Sequence, residues 1–446
     1  MTFKSKNNNP TNSKRMNRYI FLLLLALSFL NSSAFGQLSI DQCQEKARKN
    51  YPQIKQYSLI EQAGAYNISN ANKGYLPQLS FSAQATYQSD VTEIPASLGQ
   101  MLSQLTGQNI TIASMSKDQY KMVAELSQTI WDGGMISSQK EQIKANTELE
   151  KQKLEVDLYT INERVNQIYF GILALNEQRV QIDLLQKELQ TNYEKVKAYM
   201  QNGVANQADL DMIRVEQLKV KQKKAELNTI QKSYREMLAV MIADTTALTA
   251  ALEKPVFDTN ISSELEIKRP ELKLFDAQTN LFASQEKIIR AGNLPKLGVF
   301  GQGGYGNPGL NMFNPGFTPY YILGAKLTWN FSGLYSQGNH LQKIALNKQT
   351  VASQKETFLF NTNLKVVNAQ NEIAKIKEQI KSDDEIIALR KNIKKAAEVK
   401  VENGTLTVTD LIREINAEST AIQEKALRQI QLSMAVYNLK NITNNQ

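Results

Sequence analysis

Gly74-Tyr75-Leu76-Pro77-Gln78-Leu79 returns 218 residues later as Gly292-Asn293-Leu294-Pro295-Lys296-Leu297, and this recurrence decides the fold. Upstream, Asn50-Tyr51-Pro52-Gln53-Ile54-Lys55 pairs with Lys268-Arg269-Pro270-Glu271-Leu272-Lys273 at the same offset, so both copies keep 25 residues between prolines. Downstream the offset becomes 201. Leu126-Ser127 matches Leu327-Thr328, Asn202-Gly203 matches Asn403-Gly404, and Asp209-Leu210 matches Asp410-Leu411. Two constant offsets over ordered landmarks define an internal two-fold repeat. The 17-residue change falls between Pro77 and Leu126, which predicts a loop there, because loops absorb insertions.

Each copy reads in the same order: a helix leads to Leu-Pro, a strand pair follows, a very long helix ends at Asn-Gly, and a shorter helix returns from the aspartate. The first copy occupies 37–254, with strands about 78–88 and 119–131, a long helix 133–202 and a return helix 209–242. The second occupies 255–446, with strands about 296–306 and 319–331, a long helix 334–402 and a return helix 410–440. Gly and Pro break helices. Between 135 and 291 the only glycines are Gly171 and Gly203, and from 339 onward the only one is Gly404. The first long helix carries a heptad row, Leu154, Ile161, Ile168, Leu175, Ile182, Leu189 and Val196. A second row four residues on, Leu158, Val165 and Ile172, is interrupted by Arg179 and Gln186. Such alternating 3–4 spacing is a coiled-coil seam. Leu359, Val366, Ile373, Ile380 and Ile387 keep the period in the second copy. Gly203 and Gly404 suit the left-handed residue that closes a helix, and Asp209 and Asp410 are expected to cap the return helices. Pro77 and Pro295 lead into the strands.

The strands alternate with period two. Leu79, Phe81, Ala83, Ala85 and Tyr87 oppose Ser80, Ser82, Gln84 and Thr86, while Tyr120, Met122, Ala124, Leu126 and Ile130 oppose Lys121, Glu125, Ser127 and Thr129. Tyr321, Leu323, Ala325, Leu327, Trp329 and Phe331 form a third apolar row. Each run is near the ~10 residues that a tilted transmembrane strand needs. Tyr87, Tyr120, Trp131, Tyr320, Tyr321 and Trp329, near strand ends, suit interfacial girdles. A soluble sheet with one wet face fits the same local pattern. Four strands leave two open edges, however, and transmembrane barrels have at least about eight strands. A membrane reading therefore requires several copies of the chain.

Composition removes other classes. One cysteine, Cys43, and one histidine, His340, exclude most zinc sites, intrachain disulfides and histidine acid–base chemistry. No nucleophile–base pair or metal cluster stands out, so no catalytic residue, cofactor or metal ligand is assigned and the chain does not read as an enzyme. The net charge is +9, but Lys4, Lys6, Lys14, Arg15 and Arg18 lie in the first 36 residues, which hold no acid; the remaining 47 basic and 43 acidic residues leave no nucleic-acid footprint. Lys14, Arg15 and Arg18 precede the apolar run 19–30, and Ser32-Ser33-Ala34-Phe35-Gly36 supplies small residues. Residues 1–36 thus read as a secretory signal cleaved after Gly36, with an uncleaved anchor as the alternative. No later segment has 18 consecutive apolar residues, so any membrane-spanning part must be β-structure. Gly301-Gln302-Gly303-Gly304-Tyr305-Gly306 fits G-x-G-x-x-G, but Asn307-Pro308-Gly309 and further strand follow where a helix should open, so it reads as strand or loop. His340 reads as a surface or capping residue. Asp383-Asp384-Glu385 reads as a solvated helix face or an acidic patch in a lumen.

Leu38-Ser39-Ile40-Asp41-Gln42-Cys43 with Asn50-Tyr51-Pro52, then Leu76-Pro77-Gln78-Leu79, Leu126-Ser127-Gln128 with Asp132-Gly133-Gly134, and the Gly-to-Asp tips follow in one order behind the signal. In this order the chain resembles the TolC-like outer membrane efflux protein family over nearly its whole mature length. The resemblance implies a mainly α protein with a small β part and a homotrimer. Each protomer would give four strands to a 12-stranded outer-membrane barrel and its long antiparallel helices to a periplasmic tunnel. It implies a passive exit duct of a tripartite efflux or type I secretion system, set in outer-membrane lipid with a long periplasmic extension. The tunnel tip would meet a periplasmic adaptor protein that joins an inner-membrane transporter. The family's tip aspartates fall on Asp209 and Asp410. Its second constriction aspartate falls on Arg413, which implies a ring near neutrality, and the arginine and tyrosine that hold its best-known members closed fall on Leu406 and Val401. The competing reading, a secreted coiled-coil scaffold without a pore, explains the helices but not the strand pairs.

Overall fold

The computed structural model describes residues 2, 37–93, 95–108, 115–256, 265–314 and 316–445. Apart from Thr2, the signal segment 1–36 lies outside the described residues. The described elements are α1 (Ile40–Asn50), α2 (Gln56–Asn72), β1 (Gln78–Tyr87), α3 (Ala96–Thr106), β2 (Asp118–Trp131), α4 (Met135–Gln201), α5 (Gln207–Ile242), α6 (Pro270–Gly292), β3 (Lys296–Asn307), β4 (Thr318–Thr328), α7 (Ser332–Glu402) and α8 (Val408–Thr443). They form two compact units, one drawn from the described residues of 55–157 and 269–361, the other from those of 37–54, 158–268 and 362–445. Among the described residues, no helix is long and apolar enough to cross a membrane.

The first unit holds one antiparallel sheet in the order β1-β2-β3-β4. Leu79 faces Leu126, Met122 faces Tyr305, and Leu297 faces Leu327. The β2–β3 register slips between Thr129 and Trp131, a bulge that turns the strand end. β4 stops at Thr328, short of the expected 331. Trp329 leaves the ladder to donate its Nε1–H to the Asn293 carbonyl at 3.1 Å, and Asn330 accepts from the Ser332 amide at 3.0 Å at the start of α7. In the same unit Lys151 pairs with Glu61 at 2.6 Å and Lys287 with Glu141 at 2.6 Å. Solvent-exposed pairs of this kind contribute at most about 1 kcal/mol each. Between β1 and β2, where a loop is expected, Ala96–Thr106 forms helix α3, closed by Gly107 at φ 69°. Its signal was present in the sequence: Leu98, Met101, Leu102 and Leu105 recur at helical spacing.

The second unit carries the seams. Leu154 and Leu158 straddle the division of the chain, and Leu158, Ile161, Val165, Ile168 and Ile172 are all buried. Beyond Arg179 the second row shifts by one residue, and Leu185 and Asn192 take its place beside Ile182, Leu189 and Val196. A helix of 3.6 residues per turn drifts by about 20° per heptad against a 3.5 repeat, so a long stripe must slip to stay buried. In α7 the seam is Thr362, Val366, Ala369, Ile373, Ile376, Ile380, Asp383 and Ile387, of which Thr362, Ile373, Ile376 and Asp383 are fully buried. Asp383 is therefore a seam residue and not part of a solvated face. Its carboxylate pairs with Arg428 of α8, while the neighbouring Asp384 pairs with Lys425.

The amino-terminal end is tied into the same unit. Ser39 and Gln42 form a capping box on α1, as their spacing predicts. Leu38 bridges Leu252, and the Tyr169 hydroxyl lies 2.8 Å from the Leu38 carbonyl and 2.7 Å from that of Glu253. Cys43 is fully buried, and burial pushes its thiol up to about 12. Since the thiolate is the reactive form, Cys43 is expected to resist maleimide at pH 8 in the folded protein and to react only after denaturation. Stoichiometric labelling of native protein would contradict this packing.

Candidate functional site

Two places carry residues singled out by the sequence: the sheet and the helix tips. In the sheet, the register brings the apolar positions of all four strands onto one face. Leu79, Phe81 and Tyr87 lie there with Tyr120, Met122, Leu126, Leu297, Val299, Tyr305, Tyr321, Leu323 and Leu327. That face is exposed: Phe81 is 72%, Leu323 75% and Tyr321 77% accessible. The opposite face holds Ser80, Ser82, Gln84, Lys121, Glu125, Gln302, Tyr320 and Lys326, with Val123, Phe300 and Ile322 among them, and in β4 its residues from Thr318 to Gly324 are the more covered half of a strictly alternating pattern. In water the arrangement should be the reverse. On the polar face the Tyr320 ring covers Gly304 so closely that a Cβ there would lie 2.2 Å from its Cζ, and the Phe300 ring covers Gly324 in the same way. The G-x-G-x-x-G run is thus part of β3, with Gly304 and Gly306 leaving room for ring or backbone of the adjoining strands. Lys121 stands 5.7 Å from the Tyr320 ring centroid, and Gln302 donates to Glu125 at 3.1 Å. Tyr320 points into the polar face, so it does not join an interfacial girdle.

The two tips repeat one geometry. Gly203 has φ 77° and Gly404 φ 67°. The amides after them close the helix ends at the same distance: Val204 N to Tyr199 O and Thr405 N to Lys400 O are both 2.9 Å. These are Schellman-type closures. Neither Asp209 nor Asp410 is an N-cap. The caps are Asn206 and Thr407, and each aspartate sits three residues in. Asp209 accepts from the Asn206 amide at 3.0 Å and completes a capping box, and the Thr407 hydroxyl donates to Asp410 at 2.7 Å. The sequence reading gives the cap to the aspartates, but Asn206 and Thr407 are capping residue types as well and take that position. Carboxylates in a first helical turn also meet the positive end of the helix dipole.

Arg413 lies one turn after Asp410 and pairs with it at 3.0 Å, its side chain 70% exposed. The pair is self-compensating. Val401 is buried, and Leu406 packs beside it in an apolar cluster with Val408, Leu411, Ile412, Leu210 and Ile213. Nearby, Lys394 of α7 bridges Glu188 of α4 at 2.6 Å and Glu418 of α8. Burial opposes its charge, but the hydrogen bonds to Glu188 and Glu418 outweigh it and hold the ammonium above the ordinary lysine range. Among the described residues no group of three or more metal-ligating side chains occurs.

The sheet thus carries an exposed apolar face and a more polar opposite face, and each return helix follows a turn closed by a glycine of positive φ. Residues 44–243 match the family described as outer membrane efflux protein. The pyoverdine export outer membrane protein OpmQ of Pseudomonas putida is 24% identical over 427 residues, spanning 91% of this chain and 86% of that protein. In fold, the chain is similar to the CmeC outer membrane channel of Campylobacter jejuni, with a TM-score of 0.60 and 15% identity over 91% of this chain and 85% of that one. It is also similar to the open state of the MtrE outer membrane channel of Neisseria gonorrhoeae, with a TM-score of 0.59 and 13% identity over 91% and 88%. The family match covers residues 44–243, and over nine-tenths of its length the chain shares the fold of these outer membrane channels.

Proposed function

We propose that this chain acts as a homotrimer whose copies each lend four strands to a 12-stranded barrel, through which solutes leave passively. The observation that carries this reading is the sheet's exposed face, apolar but for Asp118, Gln128 and Asn307, with both outer edges unpaired among the described residues. Only lipid and sister strands satisfy those two features together. In this reading a periplasmic adaptor binds the helix tips, and an inner-membrane transporter supplies the energy. The two structural repeats, 37–254 and 255–446, act as equivalent halves of the wall. Extraction tests the assembly: the protein should leave the outer-membrane fraction only with detergent and run as a heat-modifiable trimer. A soluble filament would instead support the pore-free scaffold.

Asp209, Asp410 and Arg413 are assigned to the constriction, with Gly203 and Gly404 as its turns. Val401 and Leu406 hold the tip by apolar packing, where the best-known relatives of the family use polar ties. Asp410 pairs with Arg413, which also lies 3.6 Å from Glu414, so removing either member of the pair changes the net charge of the tip by one. Arg413→Ala should shift ion preference toward cations and Asp410→Ala toward anions, each by roughly twofold or more in planar bilayers. Unchanged conductance and preference in both variants would remove the constriction assignment.

A further inference from the structure

We infer that the polar face of the sheet favours organic anions as the exported solutes, an inference that rests on the duct reading, which makes this face the lumen wall. The register places Lys121 of β2, Lys296 of β3 and Lys326 of β4 on that face, with Glu125 as its one acid among the described strand residues. β1 contributes Gln78, Ser80, Ser82, Gln84 and Thr86, all uncharged.

Among the described residues, no ion pair engages these lysines. Glu125 is engaged by Gln302 at 3.1 Å. Lys121 faces Gln84 and Gly306 across its two ladders and has the Tyr320 ring as its near neighbour, at 5.7 Å. An aromatic face orients an ammonium without cancelling its charge. Lys296 faces Thr328, and Lys326 faces Gly298, so the two lysines are diagonal neighbours on one face. Such neighbours lie roughly 7–8 Å apart, where like charges repel. A carboxylate, phosphate or sulfonate group of a passing solute relieves that repulsion. Each further copy of the chain adds the same excess, and low-dielectric walls focus the resulting field on the solution they enclose. At the tip the Asp410–Arg413 pair, at 3.0 Å, compensates its own charge, which leaves Asp209 as the acid assigned there.

The experiment is the zero-current potential of the purified full-length protein in planar bilayers under a KCl gradient. Wild type should favour chloride over potassium by roughly threefold or more. Lys121→Gln with Lys296→Gln and Lys326→Gln should bring the preference close to unity, and the corresponding Glu substitutions should reverse it. Glu125→Gln should increase it. Heat-modifiable migration of each variant establishes that it has assembled, and the neutral Gln set serves where the Glu set does not assemble. A cation-preferring wild type, or a preference that the assembled Gln variant leaves unmoved, overturns the inference while leaving the duct reading intact. Absence of any conductance from assembled wild type overturns the duct reading and the inference with it.

Discussion

Arg428→Ala is expected to destabilise the helical unit by about 3–5 kcal/mol, the usual cost of stranding a buried charge. Asp383 is nearly inaccessible and sits in the α7 seam between Ile380 and Ile387, with Arg428 as its ion-pair partner. One of its carboxylate oxygens already has no hydrogen-bond partner. Removal of the guanidinium leaves the other oxygen without its ion pair, in a seam that α7 otherwise continues with Ile376, Ile380 and Ile387. The double variant Asp383→Leu with Arg428→Met should regain most of the loss, because an apolar pair of similar volume carries no desolvation cost. Thermal unfolding of the purified protein in detergent, followed by circular dichroism, measures both. A loss below about 1 kcal/mol for Arg428→Ala would mean that the pair behaves like an exposed one.

The second large effect is expected on the sheet. Leu323 is mid-strand in β4, on the exposed apolar face. If that face met water, Leu323→Arg would alter stability by no more than about 0.5 kcal/mol and would improve solubility. Against the hydrocarbon of a bilayer the same change costs about 2–4 kcal/mol at mid-depth. The variant should therefore lose most of its heat-modifiable form and its outer-membrane yield. Ser82→Arg, on the polar face of β1, is the control and should assemble normally. Equal assembly of both variants would argue that lipid does not cover the apolar face.

The tips separate what local sequence encodes from what packing selects. Both turns follow from Asn-Gly, because glycine takes a positive φ at little cost and closes the helix. The role of the aspartate beyond does not follow. Asn206 and Asp209, or Thr407 and Asp410, are alternative caps at the level of residue type, and the structure chooses the earlier residue in each turn. Helix α3 failed for a different reason. The length difference between the two copies pointed to an insertion, and insertions read as loops, although four apolar residues at helical spacing were already present. Asp383 was misread because charge runs usually face water; its seven-residue phase with Ile376 put it in the seam.

Periodicity, punctuation and address are properties of neighbouring residues, so the chain's own order was sufficient for the long helices, the twin turns, the alternating strands and the β-rather-than-helix route into lipid. The tertiary structure alone decided which strand meets which, that all four apolar half-faces coincide on the exposed side, that one seam row slips by a residue beyond Arg179, and that Asp383 and Lys394 are partnered inside it. Those outcomes depend on pairing between residues tens to hundreds of positions apart. A period of two or 3.5 states which residues share a face, but the partner packed against that face determines whether it ends in protein, in water or in lipid.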